Sequence, residues 1–128
     1  PALIQRLTLK AGKLLSVFAP NKAERRFLTT TTVIGIRGTG LYIEAEKDKT
    51  FVCTCYGTTQ LAVADKPDTS ETITTKHHEA PRYIYPASSG RKKLIVKAKV
   101  INHTDDELTM LEWLVGRQPP FGSSGSSY

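Results

Sequence analysis

The chain has 128 residues, 39% of them hydrophobic and 23% charged, which suits one compact domain whose core needs neither disulfides nor a metal on grounds of size. No apolar run approaches the length of a bilayer span, so no transmembrane segment is expected. The net charge of +6 invites a nucleic-acid reading, but Lys10, Lys13, Lys22, Arg25 and Arg26 are scattered. The dense patch, Arg91-Lys92-Lys93 with Lys97 and Lys99, has neither interleaved aromatics nor a reading motif, so specific nucleic-acid binding is not expected. Lysines that block edge-to-edge strand pairing are the simpler use.

The chain opens on Pro rather than Met, which is expected of a piece processed or trimmed from something longer. From Leu3 to Ala64 apolar residues mostly recur at every second position, the strand period. Leu7 and Leu9 alternate with Thr8 and Lys10, Ala11-Gly12 interrupts, and Leu15 and Val17 resume the pattern up to a break at Ala19-Pro20-Asn21. After a basic stretch, Thr29 to Thr32 is β-branched throughout and Val33 to Glu46 continues as strand. Lys47-Asp48-Lys49 turns the chain into Phe51 to Tyr56, and Gly57-Thr58 reads as a two-residue hairpin turn leading to Gln60-Leu61-Ala62-Val63. Asp65 to Asp68 is a loop and Glu71 to Lys76 another strand, ending at His77-His78. Pro81 to Gly90 is loop-like, with a short strand at Tyr83-Ile84-Tyr85, and Leu94, Val96, Ala98 and Val100 form the last strand.

The one helix comes at residues 104–115. Thr104-Asp105-Asp106-Glu107 fits a capping box, its acids suit the positive end of the helix dipole, and Gly116 and Pro119-Pro120 stop it. Leu108, Leu111 and Val115, with Leu114 beside them, should pack on the sheet. The expected fold is therefore mainly β: a sandwich, roll or solenoid-like sheet of about seven or eight short strands with one C-terminal helix. Residues 1–116 are expected to form a single domain, followed by a flexible Gly/Ser-rich tail over 117–128.

Gly35-Ile36-Arg37-Gly38-Thr39-Gly40 has the look of a phosphate loop, but a strand pattern, Leu41-Tyr42-Ile43-Glu44, follows where a helix N-terminus is required. Glycines in a β pattern instead mark a bulge, a bend or a close backbone approach. Thr29 to Glu44, centred on Val33-Ile34-Gly35-Ile36-Arg37-Gly38-Thr39, resembles the signature of FecR-type domains, and Leu7 to Phe18 is similar to the lead-in of that family. The resemblance spans roughly the first half of the chain, with Thr30 in place of the usual Pro and Gly40 as an additional glycine. It implies a periplasmic, β-rich, non-enzymatic binding or regulatory module with a protein partner in the cell envelope. Gly35, Arg37, Gly38 and Thr39 would be its structural motif residues. In well-known members the domain couples an outer-membrane receptor to a cytoplasmic sigma-factor regulator. Self-association through open strand edges is a further expectation.

Both cysteines lie in Cys53-Thr54-Cys55, and on a regular strand their sulfurs share one face. With a turn at Gly57-Thr58, Val52, Tyr56, Leu61 and Val63 would form the apolar face and the cysteines would share the other with Gln60 and Ala62. Cys53 and Cys55 with His77 or His78 could hold a transition metal: zinc, copper or iron. The alternatives are two buried, unreactive cysteines, or a strained and redox-labile Cys53–Cys55 disulfide. His103 belongs to the helix entry and carries no ligand role in this reading. No nucleophile elbow and no paired carboxylates appear, so no enzymatic activity is expected.

Overall fold

The computed structural model describes residues 6–19, 25–77, 80–99 and 103–119. Its strands are β1 (Arg6–Thr8), β2 (Gly12–Val17), β3 (Arg25–Leu28), β4 (Thr32–Ala45), β5 (Thr50–Val63), β6 (Lys66–Thr75), β7 (Arg82–Ile84) and β8 (Ile95–Lys97). A 3-10 turn at Ala87–Ser89 precedes β8, and the helix α1 spans Asp105–Leu114. The strands form one mixed sheet and α1 is the single α-helix among the described residues, which is the expected fold class.

The sheet is organised by β4 and β5, which are 14 residues each and pair antiparallel from Thr32↔Val63 to Ala45↔Thr50. Each long strand has two shorter neighbours set end to end. On β4, β3 covers Val33 to Ile36 and β2 covers Gly40 to Ala45. On β5, β6 covers the Gly57 to Val63 half and β7 covers Thr50 to Val52. β8 extends β7, and β1 lies parallel to β3.

The expected hairpin turn at Gly57-Thr58 is not formed, because both residues lie inside β5. What replaces it is a pair of opposed bulges. Arg37 pairs with Thr58 and Gly40 with Tyr56, so Gly38 and Thr39 together face Gly57. The next pair, Leu41↔Thr54, leaves Cys55 as an extra residue on β5. Gly38 and Gly57 have φ of 58° and 91°, and a Cβ on Gly57 would collide with the carbonyl oxygen of Gly38. The glycine segment is thus the bulge its β context suggested.

One extra residue on each strand reverses the in-out alternation of both. Before the bulge on β4 the core takes Ile34 and Ile36; after it, Leu41 and Ile43. On β5 the core takes Val52 on one side and Leu61 and Val63 on the other. These residues join Phe27, Ile73, Ile84 and Leu94 in one buried cluster. A second cluster, Tyr42, Phe51, Cys53, Cys55, Tyr56 and Leu108, lies between the sheet and α1. Tyr56 therefore belongs with the cysteines rather than with Val52, Leu61 and Val63.

The β-branched run is also placed differently. Thr29 N–H donates to the Thr32 carbonyl at 2.9 Å and closes the β3–β4 hairpin, so Thr30-Thr31 is its turn and the preceding basic stretch is the strand. Buried hydroxyls of Thr29, Thr31 and Thr50 link at 2.8 and 2.6 Å, which satisfies polar groups that burial would otherwise penalise. The 65–68 loop contracts to a two-residue turn at Ala64-Asp65, the expected strand at 83–85 shifts by one residue to β7, and the last one shortens to β8.

The expected helix termini are present. Thr104 Oγ1 accepts from Glu107 N–H while the Glu107 carboxylate accepts from Thr104 N–H at 2.9 Å. At the other end, Arg117 N–H reaches the Glu112 carbonyl at 2.8 Å and Gly116, at φ 79°, donates to Trp113 at 3.0 Å, a Schellman closure. The apolar face is narrower than expected: Leu108 is fully buried, whereas Leu114 is 74% and Val115 56% exposed.

Gly57→Ala should lower the unfolding free energy by about 3 kcal/mol, since it combines a forbidden φ with a backbone clash. Gly12→Ala, at φ 113° but with open space around it, should lose about 1 kcal/mol. Urea unfolding of the two variants measures the difference.

Candidate functional site

The bulge and the helix together build a buried thiol–imidazole cluster. Cys53 pairs with Tyr42 on β4 and points towards α1, and Cys55, the bulge residue, lies beside it. Their sulfurs are 3.7 Å apart, neither forms a disulfide, and both residues are fully buried. His103 immediately precedes the helix cap, and its ring stacks on Tyr42 with centroids 4.5 Å apart and planes inclined by 19°. Its Nε2 is 3.2 Å from Cys55 Sγ. The ligand atoms of Cys53, Cys55 and His103 all lie within 4.8 Å of one another.

Burial pushes the Cys55 thiol well above its usual range, and the neighbouring Cys53 and the charge of Asp105 add to the effect. A hydrogen bond from the backbone of Tyr42 acts in the opposite direction. Such a thiol is protonated at neutral pH, unlike the low-pKa nucleophiles of thiol oxidoreductases.

The histidine beside the thiols is therefore His103, not His77. His77, two residues beyond β6, places Nε2 at 2.7 and 2.8 Å from the two carboxylate oxygens of Asp105, the first residue of α1. Asp105 is fully buried, so this contact ties β6 to the helix start. His78 lies outside the described residues. At the far end of α1, Tyr56 donates to the Glu112 carboxylate, which also accepts from Arg117 Nε at 2.7 Å. Burial followed by the hydrogen bond to Glu112 raises the Tyr56 phenol above its usual range. The Tyr56 ring occupies the space where a side chain at residue 40 would stand, which accounts for Gly40.

The motif residues divide between two roles. Gly35 and Arg37, with Thr58, Gln60 and Thr72, line an open groove of about 230 Å³ on the sheet. Gly38 and Thr39 form the bulge, and the buried Thr39 hydroxyl has no hydrogen-bond partner among the described residues.

No family model and no curated protein matches the chain. Among solved structures, one described as a "putative anti-sigma factor" from Parabacteroides distasonis ATCC 8503 superposes with a TM-score of 0.52 at 14% identity. The match covers 88% of this chain but 47% of that one, so the chain spans about half the length of its structural neighbour. At this identity the likeness is one of fold. No described helix is long and apolar enough to cross a membrane.

His103 was within reach of sequence reasoning. The capping box already fixed the helix start one residue later, and a helix packed over the cysteine face brings its leading residue there. The assumed turn at Gly57 hid that face.

Asp105→Ala should destabilise the protein by about 2 kcal/mol, because it removes the buried carboxylate that ties His77 to the helix start. Asp106→Ala, exposed in the same turn, should lose no more than about 1 kcal/mol through the helix dipole alone. Thr39→Val, which removes an unpaired buried hydroxyl, should leave stability unchanged or raise it by up to about 1 kcal/mol. Denaturant midpoints of the three variants test all three expectations.

Proposed function

We propose that this chain is a non-enzymatic regulatory module of the FecR type, acting in the periplasm through a protein partner. The observation that carries this reading is the fold shared with a protein described as an anti-sigma factor over 88% of the chain. It agrees with the FecR-like run Val33 to Thr39, which lies in the central ladder and supplies its bulge. Residues 1–116 act as one domain, with the segment after it serving as a tail.

The surface best suited to a partner is the outer side of α1. Met110, Trp113, Leu114 and Val115 are 55%, 61%, 74% and 56% exposed, an apolar group on a helix held rigidly by its polar anchors. Exposed aromatic and aliphatic side chains gathered in this way are characteristic of interface centres. A second copy of the chain could occupy the same surface, as self-association requires.

An epitope-tagged protein expressed in its native host with its own flanking sequence should fractionate with the periplasm. It should co-purify with a discrete protein after cross-linking from residue 110, which lies on the same exposed group. Trp113→Asp combined with Leu114→Asp should abolish that cross-link while leaving the melting temperature within about 2 °C, as expected for exposed positions. Cytoplasmic fractionation, or a cross-link unaffected by the double substitution, would count against the reading.

A further inference from the structure

The cluster under α1 has features that packing alone does not require. Two thiols and an imidazole, the latter 48 residues away from Cys55 in sequence, converge with all three ligand atoms within 4.8 Å. A bulge places Cys55 where it stands, and bulges commonly re-aim a side chain at a functional position. The donor set is soft, S₂N, the set that selects thiophilic metals over hard cations such as Mg²⁺ or Ca²⁺. Metal–sulfur bonds of about 2.3 Å in a tetrahedral site hold two sulfurs about 3.8 Å apart. The Cys53–Cys55 separation of 3.7 Å matches that spacing without rearrangement.

The surrounding residues are also those of a metal site. Stacking on Tyr42 fixes the orientation of the His103 ring, as partners around a metal site do for its ligands. Two thiolates and a neutral imidazole would exactly balance no charge but that of a divalent ion, so a Zn(II) complex would be neutral in this buried place. Cu(I) accepts three ligands more readily than zinc, so coordination number favours Cu(I) while charge balance favours Zn(II).

We propose that Cys53, Cys55 and His103 bind a single thiophilic d¹⁰ cation, Zn(II) or Cu(I). On binding, each thiol gives its proton to solvent and its sulfur forms a bond to the metal, while His103 coordinates through neutral Nε2 with no change of oxidation state. The site is fully enclosed, so the ion enters during folding or when α1 lifts. Once bound, it joins β5 to the residue that leads into the helix.

The whole chain, unfolded and then refolded anaerobically with one equivalent of Zn(II) or of Cu(I), should retain about one metal ion per chain through gel filtration. Its melting temperature should rise by about 5–10 °C over the metal-free protein. Refolding with Co(II) should give thiolate charge-transfer bands and tetrahedral d–d bands, a readout that needs no variant. Cys53→Ser, Cys55→Ser and His103→Gln should each weaken binding at least a hundredfold, whereas His77→Gln should leave the stoichiometry at one. Retention of only one of the two ions assigns the metal. Retention of neither, Co(II) bound without thiolate bands, or undiminished binding by His103→Gln would overturn the proposal.

Discussion

The rest of the structure depends on the paired bulge between β4 and β5. A regular 14-residue hairpin would keep the same alternation throughout, with one apolar and one polar face from end to end. The extra residue on each strand exchanges the parity of core positions, from Ile34 and Ile36 to Leu41 and Ile43, and from Val52 to Leu61 and Val63. It also sets Cys55 and Tyr56 together on the helix side, where regular alternation would separate them. Gly38 and Gly57 make this geometry accessible, and Gly40 leaves room for the Tyr56 ring. A short glycine-rich motif thus governs the packing of both long strands and of the helix.

α1 illustrates how a helix can dock with a modest apolar face. Leu108 is its fully buried aliphatic residue, and much of the remaining attachment is polar. Asp105 is held by His77 from β6, Glu112 by Tyr56 from β5, and the leading His103 by Tyr42 and Cys55. Buried polar contacts of this kind add less net stability than aliphatic packing, but they fix orientation, because displacement leaves charged groups unsatisfied. They also explain how Trp113, Leu114 and Val115 remain outside: the helix is positioned without them.

Features with local causes were legible in the sequence. The capping box, the glycine stop and the strand period depend on neighbouring residues, and each recurs in the structure. The parity change around Gly57 was legible too, but a two-residue turn and a bulge both present a glycine at such a break. The pairing of Arg37 with Thr58, a long-range property, distinguishes them. Reading a turn there separated Tyr56 from the cysteines and concealed the face that receives α1. The run Thr29 to Thr32 misled for a related reason: β-branched residues favour strands, yet here their hydroxyls gain more by joining Thr50 across a hairpin turn. Nothing local to His77 announced that it would turn to the buried Asp105 carboxylate instead of the thiols, because that contact is long-range.

The two faces of α1 are consequently linked by geometry. Its inner side rests on the thiol–imidazole cluster, and its outer side carries the exposed apolar group. His103 stands next to the cap residue Thr104, so whatever alters the separation of His103 from Cys55 must also move the first turn of the helix. At the other end, Glu112 contacts Tyr56 and Arg117. Tyr56 belongs to the same cluster as the cysteines, so both ends of α1 rest on the bulged segment of β5. The bulge that places Cys55 and Tyr56 side by side therefore also sets how α1 lies on the sheet, and with it which apolar residues of the helix stay exposed.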